Sequence, residues 1–184
     1  MAPQSVDAHA LDLSRSELRA LLLRAARGAG LPLGHAEDWS RAVSMFGDEA
    51  ALTALADALE AGWPGPCDPT SAESAKALSA LPPAVDALGA GAGRVVMRGV
   101  DYPALLAPYL DMERLGRGIH AVATVDGPDT HLTLGAPQPA VSRPQRMLMP
   151  QQLYDRLNTL AHRTYVPATA ASRAGAGAGA NDTD

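Results

Sequence analysis

Residues 119–134 read IHAVATVDGPDTHLTL, two runs of alternating character on either side of Asp126, Gly127, Pro128 and Asp129. Alternation with a period of two marks a strand with one buried face, and a Gly-Pro-Asp connection turns the chain back on itself. The stretch is therefore a β-hairpin. With the four-residue loop setting the register, Ile119, Ala121, Ala123 and Val125 share one face with Leu132 and Leu134. His120, Thr124, His131 and Thr133 share the other, with Thr124 opposite His131. A further short apolar run, Val95 to Met97, follows the Gly-rich turn LGAGAG and reads as another strand.

Helical signals dominate upstream. Ser14 and Glu17 make a capping box ahead of Leu18, Leu21, Leu22 and Ala25, and Gly28 and Gly30 stop that helix. A second helix runs from after Gly34 through Ala36 to Phe46. Asp48 is a good N-cap for a third, whose Leu52, Leu55, Ala56 and Leu59 form one stripe closed by Gly62. The Pro-rich segment GWPGPCDPT is a surface loop. Thr70 and Glu73 repeat the capping box for a helix that reaches Leu81, where Pro82 and Pro83 are expected to end or redirect it. Asp101, Tyr102 and Pro103 open a helix carrying Leu105, Leu106, Tyr109 and Leu110, with a kink expected at Pro108. A coil from Ala136 to Arg146 precedes a last helix headed by Pro150, with Leu153, Leu157, Leu160 and Ala161 inward.

These elements specify an α+β fold: an N-terminal helical half, a small antiparallel sheet with one clear hairpin, a C-terminal helix and a Gly/Ala-rich tail. Residues 1–12 are expected to be a flexible N-terminus and 13–167 a single α+β domain. Residues 168–184 lack Leu, Ile, Val, Phe and Met, so burial cannot offset their ordering entropy, and they are expected to be mobile or ordered only by a ligand or partner.

Composition narrows the function. The chain has 184 residues and a net charge of −5, and its arginines are scattered beside the single Lys76, so no basic stripe exists to neutralise a phosphate backbone. Nucleic acid is not an expected partner. No apolar run approaches the length needed to span a bilayer, and the start MAPQSVDAHA lacks the features of an export signal, so no membrane partner is expected. The lone Cys67 fits a reducing compartment, and the expected location is cytoplasmic. A core rich in Ala and poor in rings buries little area per side chain, which makes a homodimer contact a reasonable supplement.

Few residues point to chemistry. Gly89 to Gly93 precede a strand instead of following one, which is the wrong order for a dinucleotide loop, and the Gly-rich tail lacks a Lys-Ser/Thr ending. No cofactor and no metal site are expected: His120 and His131 are about 13 Å apart by strand rise, too far to share an ion. Each could still serve as a general base, although an exposed polar face accounts for both. His35, close to Glu37 and Asp38, could move a proton, yet acidic residues in a helix's first turn also answer its macrodipole. Cys67, with no adjacent His, reads as a bystander thiol. The polar string RTYVPATAASR offers Arg163 and Arg173 as anion clamps, Thr169 and Ser172 as hydroxyls completing an anion's shell, and Tyr165 as an orienting phenol. A solvated tail would have the same composition.

The stretches LSRSELRALLLRAARGAGLPLGHAED and AHRTYVPATAASRAGAGAGANDTD together resemble the opening and closing signatures of a family of small bacterial proteins classed as a domain of unknown function. The likeness covers about the first forty and the last thirty residues, with a looser one at VDYPALLAPYL. It implies a shared fold and a shared use of the polar string, and it brings no reaction or substrate. Members usually carry Glu where this chain has Ala170, which weakens a catalytic role at that position. Two functions follow as expectations. The favoured one is an enzyme or enzyme subunit for a small anionic substrate, with His35 or His131 moving a proton. The alternative is a non-catalytic partner protein using Ala-rich helix faces and the tail.

Overall fold

Ser14 caps the first helix as its spacing requires. Its backbone N–H donates to Glu17 Oε2 at 2.8 Å and its Oγ accepts from the Glu17 N–H at 3.3 Å. The computed structural model describes residues 10–68, 75–137 and 145–164. Six α-helices occur among them: α1 (Arg15–Gly28), α2 (Leu33–Phe46), α3 (Glu49–Glu60), α4 (Ala77–Gly89), α5 (Leu106–Arg117) and α6 (Gln151–His162). Five strands accompany them: β1 (Ala10–Ser14), β2 (Arg94–Arg98), β3 (Ala121–Asp126), β4 (Asp129–Leu134) and β5 (Arg146–Pro150). The sheet order is β2-β4-β3, antiparallel throughout, with a separate antiparallel ribbon of β1 and β5. The fold is α+β, as the sequence pattern specifies.

The hairpin holds the expected faces, with Thr124 paired to His131 and Leu132 buried. Its loop is tighter than expected. Asp126 and Asp129 are themselves a pair, so only Gly127 and Pro128 turn, and Gly127 sits at φ +58° in the left-handed region that a primed two-residue turn needs.

Four other expectations are corrected. The stretch around residues 10–12, expected to be flexible, enters β1, and the end of the expected coil, Arg146, enters β5. Each strand is five residues long, and the pairs Leu11 with Met149 and Leu13 with Met147 build one apolar face only when the two meet. Arg146 Nε also reaches Asp12 Oδ2 at 2.8 Å. Pro108 lies in the first turn of α5, where no helical N–H bond is lost; the chain instead divides into a 3-10 turn at Pro103–Leu105 and α5 proper.

Pro82 and Pro83 do not stop α4, which runs on to Gly89. A proline at position 82 leaves the Leu78 carbonyl without its helical donor. The indole N–H of fully buried Trp39 donates to that carbonyl instead, at 3.1 Å. The start of α4 is also held from a distance: Asp101 Oδ1 accepts from the Ala77 N–H at 2.8 Å, while the expected capping pair, Thr70 and Glu73, lies outside the described residues.

In the packed body α1 lies against α2 and α6, α2 against α5, and α4 and α5 against the three-stranded sheet. At the crossing of α1 and α6 the backbones meet so closely that a Cβ on Gly28 would lie 1.8 Å from the Leu160 carbonyl oxygen. Neither group can move without shifting a helix, so Gly28→Ala is expected to cost about 2–4 kcal/mol by overpacking, read by urea unfolding. A cost near zero would contradict the crossing.

On the next face, Arg156 of α6 bonds Asp57 at 2.5 Å and Glu60 at 2.8 Å. The Arg156 hydrogen bond, acting against partial desolvation, holds the Glu60 carboxyl below the ordinary carboxylate range. Its folded pKa then lies below the unfolded value of about 4.3, so the tie adds stability above that pH and loses it as pH falls through the lower folded value. Glu60→Gln is expected to flatten the decline of Tm between roughly pH 5 and pH 3. An unaltered slope would contradict the pairing.

Candidate functional site

Helical spacing aims chemically distinct side chains from three helices into one cleft of about 380 Å³. From α2 come His35, Asp38 and Arg41, at steps of three along one face. From α5 come Tyr109, Glu113 and Arg117, at steps of four. Asp86 arrives from α4, one turn after Pro82. The same α2–α5 contact sets the floor, where the Tyr109 ring, 2% exposed, lies against Trp39 with centroids 4.7 Å apart at 43°.

Arg117 bridges two elements: Nη1 bonds Asp86 at 2.6 Å and Nε bonds Glu113. The Glu113 side chain is 8% exposed and that of Arg117 is 46% exposed, so a deep carboxylate is neutralised by a shallow cation. Burial alone would lower the Arg117 pKa, but hydrogen bonds to Asp86 and Glu113 raise it, and the guanidinium stays charged. Burial pushes the Tyr109 phenol far up, and the nearby carboxylates of Glu113, Asp38 and Asp86 push it further, so the floor of the cleft is a neutral hydroxyl. Asp38 and Arg41 form a looser pair at 3.3 Å on the rim.

His35 stands in the first turn of α2, its ring tilted on Trp63 at 4.9 Å between centroids. Its Nδ1 is buried and has no hydrogen-bond partner among the described residues. The residue is part of the cleft's lining.

The other sequence-derived candidates lie elsewhere. His131 is on the outer face of the three-stranded sheet, where Arg94 Nη2 approaches its Nδ1 at 2.5 Å beside Thr124, Asp126 and Thr133. It shares no cavity with His35. His120 buries an Nδ1 without a hydrogen-bond partner among the described residues, beside Arg114 and Asp111 in a pocket of about 30 Å³, room for one water. Arg163 follows α6, donates its backbone N–H to the Leu160 carbonyl and exposes its side chain on the face shared with Glu60, away from the cleft. Tyr165, Thr169, Ser172 and Arg173 lie outside the described residues. Cys67 accepts a weak bond from Ser79 Oγ at 3.4 Å. Gly89 to Gly93 leave the C-terminus of α4, the end of a helix whose carbonyls repel an anion. Among the described residues, no group of three or more His, Cys, Asp or Glu is placed to hold a metal ion.

Tyr109, Glu113 and Arg117 are not among the residues expected from the sequence to form a functional stripe. The signal was present: the three recur at i, i+4 and i+8, continuing a helix read only for its apolar face. Asp86 carried no local signal. Comparison with protein-family models, curated proteins and solved structures gives no match to this chain.

Removing the shallow cation should strand the deep carboxylate. Arg117→Met is expected to cost about 1–3 kcal/mol in urea unfolding at neutral pH, and much less when Glu113→Gln is already present. Equal costs in both backgrounds would contradict the pairing.

Proposed function

We propose that the chain is a small-molecule enzyme, or a subunit completing one, whose ligand enters the cleft between α2, α4 and α5. The observation that carries this reading is the convergence of an imidazole, a neutral phenol, a buried carboxylate and two guanidiniums on a single space of ligand size. Such a set can orient a small polar molecule and shift a proton on it. His35 is the proton-moving group through Nε2, since imidazole changes charge nearest neutral pH. Arg41, half in solvent and held by one carboxylate, receives an anionic part of the substrate. The C-terminal polar string belongs to this proposal only through residues outside those described.

A second reading, a partner protein or homodimer, is favoured by the rim of the same cleft. Leu33 is 55% exposed and Leu115 is 44% exposed, and each is next in sequence to a residue lining the cleft. Apolar side chains around a charged opening also suit a protein contact.

A thermal-shift screen of small amines, carboxylates and phosphates separates the two readings. On the first, a compound raises Tm in proportion to its occupancy, and the rise is lost in His35→Asn and Arg41→Met. A rise that survives both substitutions contradicts it. On the second, sedimentation shows an assembly that Leu33→Asp with Leu115→Asp dissolves.

A further inference from the structure

The cleft has an excess of acid. Asp38, Asp86 and Glu113 face Arg41 and Arg117, which leaves one carboxylate over among these five groups. The deepest of these charges is Glu113, more than nine-tenths buried at its side chain. A carboxylate so placed needs a counter-charge at all times, because burial without one is strongly unfavourable. Arg117 supplies it through Nε while a different nitrogen, Nη1, keeps Asp86 at 2.6 Å. Arg117 can therefore release Glu113 without being stranded itself, provided another cation takes the vacated place.

Resting on the reading of this cleft as a ligand site, we infer that its ligand carries a protonated amine, received by Glu113 on the floor and exchanged there for the Arg117 guanidinium. An ammonium is compact enough to enter where a planar guanidinium lay, and Glu113, Asp86 and Tyr109, all in the lining, are the acceptors for its three donors on this proposal. The carboxylates of Glu113, Asp38 and Asp86, opposed in part by Arg117, act on the Tyr109 hydroxyl in the sense that also draws in a cation. Met112 and Pro82, also in the lining, cover a short carbon chain. An acidic group at the far end of that chain meets Arg41 on the rim, so an amino acid-like molecule satisfies both ends.

The test titrates the full chain, labelled with nitrogen-15, with butylammonium, 4-aminobutyrate and butyrate, which share one carbon skeleton. Both amines are expected to shift amide resonances of α2 and α5 saturably. Glu113→Gln should weaken them about tenfold with the circular dichroism spectrum unchanged. Asp86→Asn, at a position mostly in solvent, should weaken them severalfold and decides the matter if the first variant fails to fold. Butyrate binding the cleft in place of the amines overturns the amine inference while leaving the cleft a ligand site. So do amines bound as tightly by E113Q and D86N as by the parent. If no probe moves a resonance of the cleft, the ligand-site reading falls as well.

Discussion

One hydrogen bond holds the centre of this protein together: the Trp39 indole N–H donates to the Leu78 carbonyl, which Pro82 has deprived of its helical partner. A buried carbonyl with no donor costs about 1–3 kcal/mol. The same indole lies on Tyr109 of α5. A single side chain on α2 thus fixes α4 by a polar contact and α5 by an aromatic one. The cleft exists because these three helices meet there.

Small residues set how closely the rest can approach. Ala25, Ala26, Ala36, Ala42, Ala56 and Ala84 are fully buried or nearly so, and Gly28 lets α1 and α6 touch backbone to backbone. Each such residue contributes little hydrophobic area. Close packing of backbones compensates through many short dispersion contacts, and it leaves the few large side chains, Trp39 above all, to define direction. Polar ties then lock the periphery: Arg156 joins α6 to α3, Arg117 joins α5 to α4, and Asp101 caps a helix from 24 residues away.

What could be read from the sequence was what neighbours encode. The Ser14 capping box, the Asp48 N-cap and the faces of the hairpin all form as their spacing requires, because each depends on residues within a few positions of one another. What could not be read depends on distant partners. β1 and β5 are short strands with two large apolar side chains each on the shared face, and neither carries a signal until it finds the other across more than 130 residues. Pro82 ends a helix by every local rule, and the donor that satisfies the carbonyl it frees, on Leu78, comes from Trp39, 39 residues before that carbonyl. The candidate site was legible in part: His35 was in view, while Asp86, Glu113 and Arg117 become one group only after three helices pack.

The dependence of the fold on the Trp39 contact is most directly tested by a double-mutant cycle followed by urea unfolding. Trp39→Phe keeps a ring against Tyr109 and removes the donor, while Pro82→Ala restores a helical N–H to the Leu78 carbonyl. Trp39→Phe is expected to cost about 1–3 kcal/mol in the parent chain and less than half of that in the Pro82→Ala background. An equal cost in both would mean that the indole only fills space, and that α4 passes its prolines for some other reason.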